Sequence, residues 1–576
     1  VSVTSPYAQR PWLSSYAPEV SPDVVVPDEP LGAALERAGR AFPDRVALDF
    51  MGRTTTYAQL VDEVDRAASA LRNLGVKAGD RVAIALPNCH AHVVAFYAVL
   101  RLGAVVVEHN PTYTESELEH QLADSGAVVA ICWENTAVKA LAVASRTALR
   151  TVIAVDMSRD LPAVKRLALS LPIKKARQLK SAMRADVPAG TLMWHTLVRS
   201  ASPLADSFPR PAGGDLALLQ YTGGTTGTPK GAMLTHRNLV ANAVQGAEWT
   251  GARHKADAGE PGEVVYGVLP FFHAFGLTLC LSYSLAIAAT LVLFPKFDVA
   301  SVLEAQRRRP GTFLPAVPPM LDRLAAGATA KGADLTSFRY AICGAMPLPA
   351  ATAKAWETAT GGLAIEGYGM TETSPVALGS PLSEARRPGM LGLPFPSTDI
   401  RVVDQDDPTK DVAPGERGEL LIAGPQVFEG YWQRPEETAQ ALVVADGTTW
   451  VRTGDVVVMD ADGFVEVVDR IKEMIITGGF KVFPSQVEEC LRRMPGVADA
   501  AVVGLPGGDL GEKVVAALVL AADATSIDLD AVRAWCEKNI ARYALPKQLV
   551  ILPDLPRSQI GKVLRRVVRD QVMSAG

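Results

Sequence analysis

The sequence predicts an α/β fold: a large N-terminal domain of two α/β subdomains closed by a β-rich, barrel-like subdomain, then a small α+β domain. Three observations predict it. Apolar strand-like runs alternate with helical stretches over the first two-thirds of the chain. After about residue 397 short strands separated by turns replace that rhythm. Beyond Asp469-Arg470 a compact mixture of helices and strands follows. The 576 residues, 48% hydrophobic and 21% charged, suffice for about two to four domains with large cores.

Residues 1–30 read as an N-terminal extension, 31–469 as the large domain and 470–576 as the small one. The first twelve residues carry Arg10 and two prolines but no apolar core of signal-peptide length, so secretion is not expected. A strand over 82–86 ends at Pro87-Asn88, a helix carries 93–102, and Gly103 precedes a strand over 104–107. The rhythm returns at 127–131, 151–155 and 264–269, which predicts parallel sheets covered by helices. The stretch 274–295 has no charged residue, but its hydroxyls and its β-favouring end ahead of Pro295 predict a buried helix followed by a buried strand, not a membrane span. Strands over 400–403, 418–422, 456–459 and 464–468 make the β-rich subdomain, the last two around the turn Asp460-Ala461-Asp462-Gly463. The small domain is expected to hold helices over 487–494 and 529–541 and strands over 500–503, 514–520 and 548–552.

Fifty-seven Lys+Arg against 62 Asp+Glu leave a net charge of −5, which excludes a general polyanion binder and predicts no nucleic-acid partner. Six cysteines lie far apart without a CxxC pair, and Cys89-His90-Ala91-His92 has no partner pair at metal-ligand spacing. A reduced, cytoplasmic setting is expected. Residues 161–184 are a local exception, with seven Lys/Arg and no acid, interleaved with Leu167, Leu169, Leu171, Ile173, Leu179 and Met183. Two readings stand: a solvated insertion, or peripheral contact with anionic lipid at the inner face of the membrane. Pro172 limits any single helix there.

Chemistry concentrates in a few segments. Thr222-Gly223-Gly224-Thr225-Thr226-Gly227-Thr228-Pro229-Lys230 sets glycines and four threonine hydroxyls around one lysine, a loop able to wrap a polyphosphate. It is not a Walker A motif, because Gly231 follows the lysine where Ser or Thr is required. In Glu366-Gly367-Tyr368-Gly369-Met370-Thr371-Glu372-Thr373 a tyrosine between glycines can face a flat heterocycle, and the Thr-Glu pair offers a hydroxyl and a hard oxygen ligand for Mg²⁺. By itself the same pattern fits a tight turn with a packed tyrosine. His273, in Leu269-Pro-Phe-Phe-His-Ala-Phe-Gly276, fits a satisfied core histidine as well as a site. Lys562, beside Arg565 and Arg566, fits a solvated basic tail, and Gly478-Gly479 fits a strand-to-loop bend.

Taken together, the motifs resemble the acyl-adenylate-forming superfamily of acyl-CoA synthetases, firefly luciferase and peptide-synthetase adenylation domains. They occur in family order: Gln220 to Gly227, Pro270-Phe-Phe-His273, Gly367 to Glu372, Arg452-Thr-Gly-Asp455, Asp469-Arg470-Ile-Lys472 and Ser558-Gln-Ile-Gly-Lys562. The resemblance covers nearly the whole chain. The Tyr221-Thr-Gly-Gly-Thr-Thr-Gly form, followed by Ala232-Met-Leu-Thr-His-Arg-Asn238, is similar to bacterial long-chain fatty-acid:CoA ligases.

The resemblance implies ATP, Mg²⁺ and coenzyme A as cofactor and co-substrates, a fatty acid as acyl donor, and a mobile small domain. It implies an ATP/AMP site made of Thr222, Gly223, Gly224, Thr225, Thr226, Gly227, Lys230, Gly344, Ala345, Gly367, Tyr368, Gly369, Met370, Thr371, Asp455 and Arg470. Tyr368 would stack on adenine, Thr371 would touch the α-phosphate, Glu372 would bind Mg²⁺, and Asp455 would take the ribose hydroxyls. Lys562 would bridge carboxylate and α-phosphate, and His273 would lie near the carboxylate. Together with Glu372 and Thr371 these are the expected catalytic residues. An acyl pocket of His273, Phe275, Leu277, Val317, Gly344, Met346 and Gly367 presents no buried cation, which favours an alkyl chain. Asp469 would be the hinge about which the small domain turns, bringing Gly478 and Gly479 to the thiol path, with Lys472 and Lys481 near CoA phosphates. Some long-chain members carry a tryptophan gate four residues after the histidine; Leu277 stands there, so that gate is not carried over. An acyl-AMP ligase that loads a carrier protein, or a CoA ligase for aryl or short acids, is the alternative, and an oligomer is compatible with any of these.

Overall fold

The computed structural model describes residues 5–222, 229–252, 262–477, 480–507, 511–522, 524, 526–558 and 561–575. Two large sheets organise the N-terminal domain. The first has seven strands in the order Leu192–Met193, Thr151–Val155, Val129–Trp133, Arg81–Ala85, Val105–Glu108, Leu216–Thr222 and Lys230–Thr235. All its pairings are parallel except the last, the hairpin Leu216–Thr222/Lys230–Thr235. The second has nine strands, with Val46–Phe50, Thr290–Leu293, Val264–Gly267, Phe313–Ala316, Tyr340–Cys343 and Leu363–Gly369 forming its parallel centre. Valine, isoleucine and leucine runs buried on both faces give these strands their continuous apolar sequence.

The helix expected over 93–102 begins earlier, as His90–Arg101, and all twelve residues are buried. In its first turn the Ala91 amide donates to Asp160 Oδ2 at 3.3 Å, and His92 is paired inside the fold, its Nε2 3.0 Å from Glu108 Oε1. A helix apolar all round belongs in a core, and this one lies in the main cluster shared by the two subdomains. The uncharged stretch forms successive helical turns, Ala274–Gly276, Leu277–Ser282 and Tyr283–Ala286, then the strand Thr290–Leu293. Among the described residues no helix is long and apolar enough to cross a membrane.

In the β-rich subdomain the twelve-residue strand Thr448–Met459 pairs with Arg417–Ala423, Leu442–Ala445 and Val465–Arg470, so the sheet curls into a partial barrel. The N-terminal extension is pinned to it: Arg10 Nε lies 2.6 Å from Asp399 Oδ1, and the Tyr7 hydroxyl donates to the Val412 carbonyl at 2.8 Å.

The small domain holds the sheet Val497–Pro506, Glu512–Leu520, Gln548–Ile551 and the hairpin Ile475–Thr477/Phe480–Val482. Its helices are shorter or shifted relative to expectation, at Pro484–Arg492 and Leu529–Cys536. Pro484 at the first helical position sets the first start. Beyond the end of the second, the Asn539 and Ile540 amides share the Cys536 carbonyl, at 2.8 and 2.9 Å.

Candidate active site

The hairpin at the edge of the seven-stranded sheet carries the threonine-rich loop. Thr222 pairs with Lys230 in register, so the strands close the base of the loop and leave Lys230 at its end. Gly223, Gly224, Thr225, Thr226 and Gly227 lie outside the described residues, as do Gly478, Gly479 and the side chain of Lys472. Lys230 Nζ sits 5.1 Å from the centre of the Tyr431 ring, a cation–π contact.

Tyr431 also reaches the other cluster, its hydroxyl donating to Glu372 Oε1 at 2.5 Å. Glu372 is buried in the tight turn Thr371–Thr373. Burial pushes its carboxyl up, while the Tyr431 hydrogen bond, Arg470 and Lys230 pull it back. The turn is braced from several elements. The Phe428 amide donates to the Glu372 carbonyl at 2.9 Å, the Ser374 hydroxyl to the Gln426 carbonyl at 2.8 Å, and the Thr278 hydroxyl to the Ser374 carbonyl at 2.7 Å. Gly369 has a steric reason: a Cβ there would stand 1.7 Å from the Pro375 carbonyl oxygen.

Tyr368, Asp455, Arg470 and Lys562 come together although they span almost two hundred residues. The Tyr368 hydroxyl donates to Asp455 Oδ2 at 2.5 Å, and Arg470 Nε lies 2.8 Å from Asp455 Oδ1. Asp455 and Arg470 are register partners on neighbouring strands, so the pairing is built into the sheet. Glu419 holds the preceding turn, accepting from Arg452 Nη2 at 2.6 Å and from the Gly454 amide at 3.1 Å. The Tyr368 phenol is pushed up by burial and by Asp455, and Arg470 is held up chiefly by Asp455. Lys562 projects from the small domain into the same surroundings. Burial, then the Arg470 charge, lower its ammonium to about 8 against the opposing pull of Asp455.

The histidine loop is clamped from the first subdomain. Asn88 donates to the Gly267 and Leu269 carbonyls at 3.0 and 2.6 Å and accepts from the Phe271 amide at 2.9 Å; Gln220 donates to the Phe272 carbonyl at 2.7 Å. His273 Nδ1 accepts from the Phe275 amide at 3.3 Å, which assigns the ring proton to Nε2. Burial lowers its pKa to about 4, so the ring is a neutral donor at ordinary pH. Phe275 packs on Gly344, where a Cβ would meet the Phe275 ring and the Gly367 carbonyl at 3.1 Å. Leu277 and Val317 are buried; Ala345, at φ 68°, is exposed. Met346 lies against the lysine loop: a Cβ on Gly561 would be 3.3 Å from its methyl. Lys481 Nζ stands 3.5 Å from Asp406 Oδ2 of the β-rich subdomain. The hinge candidate Asp469 is buried and accepts from the Ser485 amide at 2.8 Å, at the start of Pro484–Arg492.

Sequence reasoning missed Tyr431, Glu419 and Asn88. Only Gly430-Tyr431-Trp432, an aromatic pair behind a glycine, could have drawn attention.

Family models for the AMP-binding enzyme and for its C-terminal domain match residues 35–432 and 486–562. This chain belongs to the AMP-binding enzyme family. Within that adenylate-forming superfamily it is closely related to bacterial long-chain fatty-acid:CoA ligases. It is 35% identical over 560 residues to one from Bacillus subtilis (strain 168), covering 97% of each chain. It is also 37% identical over 544 residues to a feruloyl-CoA synthase from an Amycolatopsis species, covering 94% of this chain and 98% of that one. ATP-bound MatB from Rhodopseudomonas palustris superimposes with a TM-score of 0.79 at 30% identity, over 94% of this chain and 99% of that one. Against the same protein without ATP the TM-score is 0.68, at 30% identity over 93% and 98% of the two chains. As an adenylate-forming ligase, this member of the family activates carboxylic acids through an acyl-AMP.

Proposed function

We propose that this protein is an ATP-dependent long-chain fatty-acid:CoA ligase. The observation that carries the reading is the apolar wall beside His273: the Phe275 amide donates to its Nδ1 while the Phe275 ring packs on Gly344, and buried Leu277 donates its amide to the His273 carbonyl at 2.9 Å. An alkyl chain can enter such a wall, and a second charged group on the acid would be left unpaired there. The likeness to the Bacillus subtilis ligase supports the same acid class.

In the first half-reaction a carboxylate oxygen attacks the α-phosphorus of ATP and the bond to pyrophosphate breaks. Lys562 offers positive charge where negative charge builds between acid and α-phosphate, and His273 offers Nε2–H to the carboxylate. Asp455, flanked by Tyr368 and Arg470, is suited to hold the ribose hydroxyls, with the Tyr368 ring beside the base. Glu372 fits Mg²⁺ by its donor chemistry: a buried hard carboxylate with one oxygen held by Tyr431, which together with ATP phosphates makes the kind of mixed oxygen set that Mg²⁺ prefers. Bound there, the metal supplies charge neutralisation on the phosphates. In the second half-reaction the CoA thiolate attacks the acyl carbonyl and AMP leaves. Lys562 has to withdraw for this, by rotation of the small domain about Asp469. The higher TM-score against ATP-bound MatB supports reading the present domain arrangement as the adenylating one.

A second reading, a CoA ligase for aryl acids, is favoured by the likeness to feruloyl-CoA synthase. Product mass spectrometry with ATP, Mg²⁺ and a panel of short, medium, long-chain and aromatic acids, with and without CoA, separates them. Long-chain acyl-CoA formed only with CoA is the expected result. Aromatic thioesters alone would establish the second reading, and acyl-AMP accumulating despite CoA would point to a carrier-protein acceptor.

A further inference from the structure

The segment 161–184 leaves strand Thr151–Val155 and folds as two short helices, Ala163–Ala168 and Lys174–Met183, separated by Pro172. Little of its apolar content is buried. Leu161 and Ala176 are inside, and Leu169 and Met183 lean on the main core, but Val164 is 80% exposed, Leu167 71%, Ile173 53% and Leu171 and Leu179 49% each. The segment is anchored at both ends. Lys165 Nζ lies 2.8 Å from Glu304, the Trp133 indole donates to the Met183 carbonyl at 2.9 Å, and Arg184 lies 3.1 Å from Glu134. Between the anchors Arg166, Lys174, Arg177 and Lys180 are exposed and have no acidic partner among the described residues. The side chain of Lys175 is not described.

A solvated insertion turns its leucines inward and mixes its charges. This one keeps only Leu161 and Leu169 of its leucines inward and carries no acid: five apolar side chains stand in water beside cations of a single sign, and both features cost free energy in solution. We propose that residues 161–184 are a platform that docks the protein on an anionic lipid bilayer. Lipid phosphates would neutralise Arg166, Lys174, Arg177 and Lys180, while Val164, Leu167, Leu171, Ile173 and Leu179 enter the boundary between headgroups and acyl chains. The two terms need each other, because a few exposed side chains or a few cations alone hold a protein only weakly. The net charge of −5 on the whole chain turns other faces away from the same surface and so orients the molecule. An acidic soluble protein would satisfy the cations but leave the apolar row in water, so a bilayer accounts for more of what is exposed.

The full-length protein is sedimented with vesicles of phosphatidylcholine alone or mixed with phosphatidylglycerol, at low and high salt. Binding is read without turnover, so its outcome is separable from that of the proposed acid specificity. The wild type is expected in the pellet only with phosphatidylglycerol, and released by salt. The triple variant K174E/R177E/K180E is expected to lose at least about tenfold in partitioning, as is L167S/I173S. Both should keep the wild-type unfolding transition and wild-type adenylate formation on acid supplied in detergent. Unchanged sedimentation of the charge-reversed protein, equal binding to both vesicle types, or retention by an acidic carrier protein without vesicle binding would overturn the proposal.

Discussion

Lys562 shows how position alone changes what a side chain can do. In a basic tail it would stay charged far into alkaline solution; in the site, burial and Arg470 bring its ammonium down to about 8. Its charge is therefore present below that pH and lost as pH rises through it. If the charge serves adenylation, kcat/KM for pyrophosphate release in the absence of CoA should fall above about pH 8. Lys562→Arg, permanently charged, should remove that alkaline limb at a lower plateau. Lys562→Ala should lose about a hundredfold or more in this step while largely sparing thioester formation from supplied acyl-AMP. Equal loss in both half-reactions would refute the role. Tyr368 carries a second prediction. Its hydroxyl is a donor to Asp455, so Tyr368→Phe should raise KM for ATP by about tenfold with little change in kcat. An unchanged KM would show that Asp455 needs no such partner.

At the scale of elements, the site depends on clamps between segments that no motif announces. Asn88 lies in the loop between the strand Arg81–Ala85 and the helix His90–Arg101, yet all three of its buried hydrogen bonds go to residues 267–271, next to His273. Asn88→Ala leaves those carbonyls and one amide unpaired, and should destabilise the protein by about 1–3 kcal/mol in urea unfolding while raising KM for the acid more than KM for ATP. Equal effects on both constants would mean general loosening only. Thr235 and Asn238 form a capping box at the start of the helix His236–Trp249, a pattern local to the sequence. What the pattern could not tell is that the Asn238 amide also donates to the Pro425 and Val427 carbonyls, at 3.0 and 2.9 Å, tying that helix to the β-rich subdomain.

For the molecule as a whole, two contacts outside the site join the small domain to the β-rich subdomain. Lys481 faces Asp406 at 3.5 Å, both partly or largely exposed, and Arg417 lies 5.7 Å from the Phe483 ring. An exposed pair of this kind contributes less than about 1 kcal/mol. Charge reversal, Asp406→Lys, should therefore lower the adenylation rate by no more than about fivefold relative to thioester formation. Measuring the two half-reactions separately checks it; a parallel fall in both would argue against a contact particular to one arrangement.

The alternation of apolar strands and helices, the turn-rich stretch after about residue 397 and the order of the glycine-rich motifs could be read directly, because periodicity, turn chemistry and phosphate-loop spacing are local properties of a chain. Tertiary structure alone decided which distant groups touch. Tyr431 beside Glu372 and Asn88 under the histidine loop are long-range contacts whose partners carry no shared pattern, because each is set by subdomain packing. The same holds for charge state. His273 is neutral and Lys562 is held to about 8 through burial, and burial is a property of the folded surroundings.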